Sequence, residues 1–190
     1  MKREEQILKA AEDLFYERGF HGVGVAELGK RAGVTGSAIY RHFGSKDEIL
    51  GVLFDHAADL ILMNVGQPLP DPHQDLEVLV RAHVRFAAEN YKLAALWALD
   101  VRSLSGSYLR SFRRRQRLYT DRWAACLDRC YPGNTREDLI TAIRGVWALL
   151  MSDSWHPRSG TASPDFERIL ADIALTGLAS LRVTDSAHAD

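Results

Sequence analysis

Apolar residues recur at three- and four-residue steps along most of the chain, and no segment alternates like a strand between turn signals. Ile7, Leu8, Ala11, Leu14 and Phe15 mark a first helix from about Arg3 to Arg18, which Gly19 ends. A second runs from about Val25 to Ala32. Gly24 stands at its N-cap, and Glu27 at its third position can reach back to backbone donors. Gly33 can take the left-handed conformation that closes it, and Thr35 can cap a short third helix. In that helix Ala38, Ile39 and Phe43 form the apolar stripe, which leaves Thr35, Ser37, Tyr40, Arg41 and His42 pointing outward. Ser45 and Glu48 make a capping box that opens a long helix through Ile49, Leu50, Leu53, Phe54 and Ile61 to about Met63. Pro68, Pro70 and Pro72 then break the chain. Four helical segments follow: Pro72 to about Lys92, Leu93 to about Ser103, Ser107 to about Tyr131, and Arg136 to about Ser154, the last with Thr135 as its cap. A polar loop over 156–163 leads to a final helix, opened by Pro164 and running to about Arg182. The pattern predicts an all-α protein of about nine helices, with a three-helix N-terminal domain over 1–48 and a larger helical bundle over 49–190.

Composition narrows the functions open to such a chain. Of its 190 residues 46% are hydrophobic and 26% charged, and the formal net charge is −1, so there is no global basic signal for nucleic acid. Any DNA-binding surface must be local. Between Lys30 and Lys46 the charged residues are Lys30, Arg31, Arg41 and Lys46, with no acid among them. The longest apolar runs, which include Ala94 to Leu99 and Val146 to Met151, are far too short to span a bilayer. The N-terminus leads into an amphipathic helix and not a signal core, so no membrane partner is expected and the cytoplasm is the expected compartment. Cys126 and Cys130 lie four apart on one helical face and read as core thiols. The seven histidines show no metal-ligand spacing, and neither His-Glu-x-x-His nor a Gly-rich phosphate loop is present. No enzyme, cofactor or metal is expected.

Helix, Gly-ended helix, tight turn and short helix make a helix-turn-helix, whose second element enters the major groove. The anchors are Ile7-Leu8, Ala11, Leu14-Phe15 and Gly19-Phe20, then Val25, Leu28 and Ala32-Gly33-Val34, then Ile39-Tyr40, His42-Phe43 and Ser45-Lys46. At this spacing they closely resemble the TetR family of bacterial transcriptional regulators. The resemblance covers residues 3 to about 54, and beyond that it is one of architecture. It implies a homodimer that sets two third helices on near-palindromic double-stranded operator DNA. It also implies a larger domain that encloses a small-molecule effector and releases the operator when the effector binds. Carried over by position, Tyr40 and Lys46 look like phosphate contacts, Thr35, Gly36, Ser37 and Arg41 face the groove, and His42 lies at or near the backbone. The family usually has Thr or Ser at the entry to the second helix. Here Val23 and Gly24 stand there, which removes one expected anchor.

The larger domain carries all four tryptophans. Trp97, Arg102, Tyr119, Trp123, Arg144, Trp147 and Met151 are the candidate pocket residues, with aromatic core filling as the alternative. Arg102 and Arg144 interrupt apolar stripes, and a buried arginine needs a partner such as Asp100 or Asp153. Arg110, Arg113, Arg114 and Arg117 recur on one helix face, either as a solvated row paired with acids or as an anion site for the phosphates of a coenzyme A thioester. The segment from Leu99 to Leu104 is similar to a subset of TetR-type regulators that respond to acyl-CoA or related lipid metabolites. Trp155, Phe166, Ile169, Leu170, Ile173, Gly177 and Leu178 are the candidate dimer seam. Three readings stand: a ligand-released repressor, an activator, and a constitutive DNA-binding module without effector.

Overall fold

Side-chain caps and glycine stops set the ends of several of the helices. The computed structural model describes residues 2–152 and 163–181, and among these it holds nine α-helices and no strand. They are α1 (Arg3–Arg18), α2 (Val25–Arg31), α3 (Gly36–Ile39), α4 (Lys46–Val65), α5 (Pro72–Glu89), α6 (Tyr91–Asp100), α7 (Gly106–Cys130), α8 (Arg136–Leu150) and α9 (Phe166–Leu178). A 3₁₀ turn, Val101–Ser103, follows α6, and another, Ala179–Leu181, follows α9. Gly19 and Gly33 stop α1 and α2 at φ 72° and 67°. Thr135 caps α8 with a reciprocal box, its hydroxyl accepting from the Asp138 amide at 3.2 Å. At α4 the box is offset by one residue. Ser45 Oγ accepts the Glu48 amide at 3.1 Å, but the Glu48 carboxylate takes the Gly44 amide at 2.7 Å. None of the described helices is long and apolar enough to cross a membrane.

The chain divides into two compact units, one of Met1–Leu60 with Asn90–Gln116, the other of Ile61–Glu89 with the chain from Arg117 onward. The boundary expected at 48/49 falls inside α4, well within the first unit. Ile7, Leu14, Phe15, Leu28, Ile39, Ile49, Leu50 and Phe54 are buried there, and Phe15 meets Phe20 edge to face at 5.3 Å. α6 packs on α1, helped by a Lys92–Asp13 ion pair and by Tyr91 against Tyr16 at 5.6 Å. The first half of α7 lies on α4 so closely that a Cβ on Gly51 would sit 2.5 Å from the Tyr108 ring. Arg115 binds both Asp55, at 3.0 Å, and Asp59 across the same contact.

In the second unit α9 packs on α5 and α8, and burial splits its apolar face. Ala171, Ala174 and Leu178 turn inward, whereas Ile169 and Ile173 stay exposed. Trp123, Leu127, Leu79, Val80 and Ile143 fill the interior. Asp75 is buried among them. Arg122 grips it with two N–H groups, one at 2.9 Å, and Arg129 approaches at 3.6 Å. Burial alone would raise this carboxyl, but the Arg122 hydrogen bond and charge hold it below the usual range. Arg129 also donates to the carbonyls of Leu69 at 2.9 Å and Pro70 at 2.6 Å, which ties the proline-rich linker to α7. Cys126 and Cys130 are free thiols that donate to the Pro72 carbonyl at 3.5 and 3.1 Å. Burial pushes both thiols up, away from reactivity.

Removing one partner of a buried ion pair strands the other charge. Asp75→Asn is therefore expected to destabilise the protein by about 3–5 kcal/mol at neutral pH, read from urea unfolding. A loss under 1 kcal/mol would show that the pair is not supporting this unit.

Candidate nucleic-acid interface and ligand sites

The turn before α3 is made by backbone. The Val34 amide donates to the Gly29 carbonyl at 2.9 Å and the Gly33 amide to Lys30 at 3.3 Å, a Schellman closure of α2. A Cβ on Gly29 would lie 2.9 Å from the Val34 oxygen and 3.0 Å from the Gly36 nitrogen, so only glycine lets the turn lie this close. Thr35 caps α3, its hydroxyl accepting from Ala38 at 3.2 Å and meeting Ser37 Oγ at 2.9 Å. The α-helical part is only Gly36–Ile39. Tyr40 to His42 continue as a turn, held by His42 and Phe43 amides on the Ile39 carbonyl, both at 2.9 Å. Ile39 and Phe43 are buried, which fixes the back of the element. Thr35, Ser37, Tyr40, Arg41 and His42 are exposed on its front, with Tyr40 at 57%. Gly36 is half-buried, its Cα side against Ala26 of α2.

The acid-free run between Lys30 and Lys46 is partly neutralised in space. Arg31 makes two bonds to Glu17, at 3.2 and 2.8 Å, and His42 Nδ1 stands 3.4 Å from Glu4. Glu27 pairs with Arg18 and does not cap α2. Lys46 is half-buried. Its ammonium donates to the carbonyls of Phe20 at 2.8 Å and Val23 at 2.9 Å and lies 4.2 Å over the Phe20 ring. It thus ties the α1–α2 connection to the start of α4, with one N–H left over. Lys30 and Arg41 are exposed and form no ion pair among the described residues. Val23 is buried and Gly24 has no side chain, so neither offers a hydroxyl at the entry to α2.

The candidate pocket residues fall into separate units. Trp97 and Arg102 line a cavity of about 500 Å³ in the first unit, with Val101, Leu104, Leu109, Phe112, Arg113 and Gln116. No spacing rule links α6, its 3₁₀ turn and α7, so Leu104, Leu109 and Phe112 were not legible as pocket wall. Tyr119, Trp123 and Trp147 come together in the second unit around His83, which the sequence reading missed. Trp147 stacks on Tyr119 at 5.1 Å and on His83 at 5.6 Å, and Trp123 stands edge-on to both Tyr119 and Trp147. His83 Nδ1 and the Tyr119 hydroxyl are 3.1 Å apart. His83 Nε2 and Trp147 Nε1 have no partner among the described residues. Burial pushes His83 down to about 3 and raises the Tyr119 phenol. Arg144 is exposed, not buried among its apolar neighbours, because the outward side of α8 also carries Thr141, Gly145 and Ala148. Arg102 is likewise exposed, at the rim of its cavity. Met151 is half-buried at the end of α8. Among the seam candidates, Ile169, Ile173 and Gly177 are exposed and Phe166 and Leu170 half-buried. Leu178, 1% exposed, belongs to the interior, because at i+4 and i+7 it falls on the same face of α9 as Ala174 and Ala171. Trp155 and Asp153 lie outside the described residues. No group of three or more His, Cys, Asp or Glu among the described residues could hold a metal ion.

A helix, a glycine-held turn and a pinned short helix with an exposed polar front make a helix-turn-helix. The family model for bacterial regulatory proteins of the tetR family matches residues 7–53, and the tetracyclin repressor-like C-terminal domain matches residues 70–178. The chain belongs to the TetR family of transcriptional regulators, which bind operator DNA. It is 34% identical over 98 residues to the HTH-type transcriptional activator FasR of Mycolicibacterium smegmatis, a match over 48% of this chain and 45% of FasR. The chain thus spans under half the length of that relative. The fold is that of the TetR regulator PfmR from Thermus thermophilus, with a TM-score of 0.79 and 24% identity over 91% of this chain and 97% of that one. It is also that of FadR from Bacillus subtilis, solved with stearoyl-CoA, at TM-score 0.70 and 18% identity over 94% and 97%.

The buried histidine gives a pH dependence with a defined sign. The unfolded chain takes up a proton near pH 6.5, while the folded ring stays neutral until about pH 3. Its contribution is complete above 6.5 and is lost as pH falls. Between pH 6.5 and 5 the parent is expected to lose about 1.6 kcal/mol in urea unfolding, and His83→Gln much less. Equal slopes for the two proteins would overturn the assignment.

Proposed function

We propose that the chain acts as a homodimeric repressor that sets α3 in the major groove of near-palindromic operator DNA and lets go when a small hydrophobic effector binds. The observation that carries the DNA reading is the front of α3: Tyr40 open to solvent and Arg41 without an ion pair, on an element whose back is locked by Ile39 and Phe43. In this reading Thr35, Gly36, Ser37 and Arg41 face bases, Arg41 as a fork onto guanine. Tyr40 and the remaining N–H of Lys46 reach phosphates, with His42 near the backbone. Solved FadR with stearoyl-CoA supports an acyl-CoA or lipid-type effector. The name of FasR as an activator favours a second reading, in which the same docking raises transcription. A promoter carrying the operator separates the two by the direction of its response.

Operator selection from random duplexes tests the docking. We expect enrichment of a palindrome with half-sites about one helical turn apart, and no enriched palindrome would sink the reading. With that operator, Tyr40→Phe should weaken binding about tenfold whatever the bases, whereas Arg41→Ala should relax preference at one position by about 1–3 kcal/mol.

The proposed seam is the outer face of α8 and α9. Ile169 and Ile173 are exposed there, Ile173 at 51%, and added Cβ atoms on Gly145 and Gly177 would meet nothing within 4 Å. Neither glycine is needed for packing inside the protomer, and both leave room for close helix approach from a second copy. Ile173→Glu is expected to shift the sedimentation profile from dimer to monomer and lower operator affinity at least tenfold, with helicity kept. A dimer that survives this change would place the seam elsewhere.

A further inference from the structure

We infer that the cavity between α6, the Val101–Ser103 turn and α7 binds an anionic amphiphile, an apolar tail carrying a carboxylate or phosphate head, and that its occupancy is passed to the DNA-binding helices through that same turn. This rests on the effector reading above and adds to it the cavity, the residues that grip the head, and the route. The cavity, about 500 Å³, falls in the range of small-molecule sites. Trp97, Leu104, Leu109 and Phe112 make an apolar wall, and Arg102 and Arg113 stand beside it. Neither guanidinium forms an ion pair among the described residues, whereas Arg115, two residues on from Arg113, is held by Asp55 and Asp59. Two unmatched cations against apolar wall suit a ligand that supplies both complements. A neutral hydrophobe leaves the arginines without a partner, and a tail-less anion leaves the wall wet.

The route is short and lies within one compact unit. Asp100 and Ser103, on either side of Arg102 in the chain, both touch the α1–α2 connection. Ser103 Oγ meets His21 Nε2 at 3.0 Å, and the Asp100 carboxylate is hydrogen-bonded by the Phe20 backbone. Phe20 in turn offers its carbonyl to Lys46. A head group that draws Arg102 inward therefore pulls on the segment that places the start of α2.

The test uses the full chain, its selected operator, and palmitoyl-CoA, palmitate, free coenzyme A and 1-decanol, read by thermal shift and operator release. We expect palmitoyl-CoA, palmitate or both to raise the melting temperature and release DNA, which also separates a phosphate from a carboxylate head, with coenzyme A and decanol inert. Arg102→Gln/Arg113→Gln should need at least tenfold more ligand in both readouts, with its unliganded melting temperature as the check on folding. Ser103→Ala should keep the thermal shift yet need several-fold more ligand to release DNA, because it cuts the route and leaves the site. If the double variant responds like the parent while Trp147→Phe abolishes the response, the site lies in the second unit; this inference falls and the effector reading stands. Release by decanol as strong as by palmitate overturns the anionic class. If the parent responds to none of the four probes the inference falls, and the effector reading falls with it only if a broader small-molecule panel also leaves the operator bound.

Discussion

The placing of Tyr40 and Arg41 depends on a backbone contact in which neither takes part: the turn over 32–36 lies against Gly29, closer than any side chain there would allow. Four helical residues cannot hold themselves in water, since nucleating a helix costs more than one turn returns. The element is stable because its entry is clamped by the Schellman closure and its exit by Ile39 and Phe43 in the core. Lys46 extends the same clamp by joining the α1–α2 connection to α4. The polar front of α3 is thus presented by a rigid frame, and its residues are left free to meet a partner.

The helices were legible because burial imposes a 3.6-residue period and because the stops are chemical. Gly19, Gly33 and Thr135 act where the sequence placed them. What stayed hidden were pairings between residues far apart in the chain. Asp75 reads as one more polar position near the start of α5, and nothing local says that Arg122, forty-seven residues on, neutralises it in the core. α9 has apolar residues on a broad face, and only the positions of α5 and α8 decide that Leu178 goes in while Ile173 stays out. The cavity was half legible: Trp97 stood out as a tryptophan and Arg102 as a break in an apolar stripe, but their partners come from α7, and Tyr119, Trp123 and Trp147 belong to another cluster.

Charge shows the same limit. Along the chain the run from Lys30 to Lys46 carries cations without an acid, yet three of the groups in it are engaged by other parts of the same unit: Arg31 by Glu17, His42 by Glu4, Lys46 by two carbonyls. The Arg31 hydrogen bond and charge lower the Glu17 carboxyl below its usual range. Cations without an internal partner are fewer than the sequence suggests: among the described residues of that run, Lys30 and Arg41 are the exposed ones that form no ion pair.

A chain of net charge −1 cannot draw DNA in by its overall field, so its attraction must come from within about a Debye length of α3. Pairing Arg31 with Glu17 reduces even that local field, whereas tying Lys46 to two carbonyls keeps its charge and makes its position definite. In the proposed docking, binding then leans on the Tyr40 hydroxyl, the Thr35–Ser37 hydroxyl pair and the Arg41 fork, all of which require the frame to be correctly placed. Interactions of that kind fall off over a few tenths of an ångström, whereas charge attraction fades over several ångströms. A small displacement of the α1–α2 connection would therefore cost such an interface more than it would cost one built on charge alone. That sensitivity is the physical property a ligand-released regulator needs.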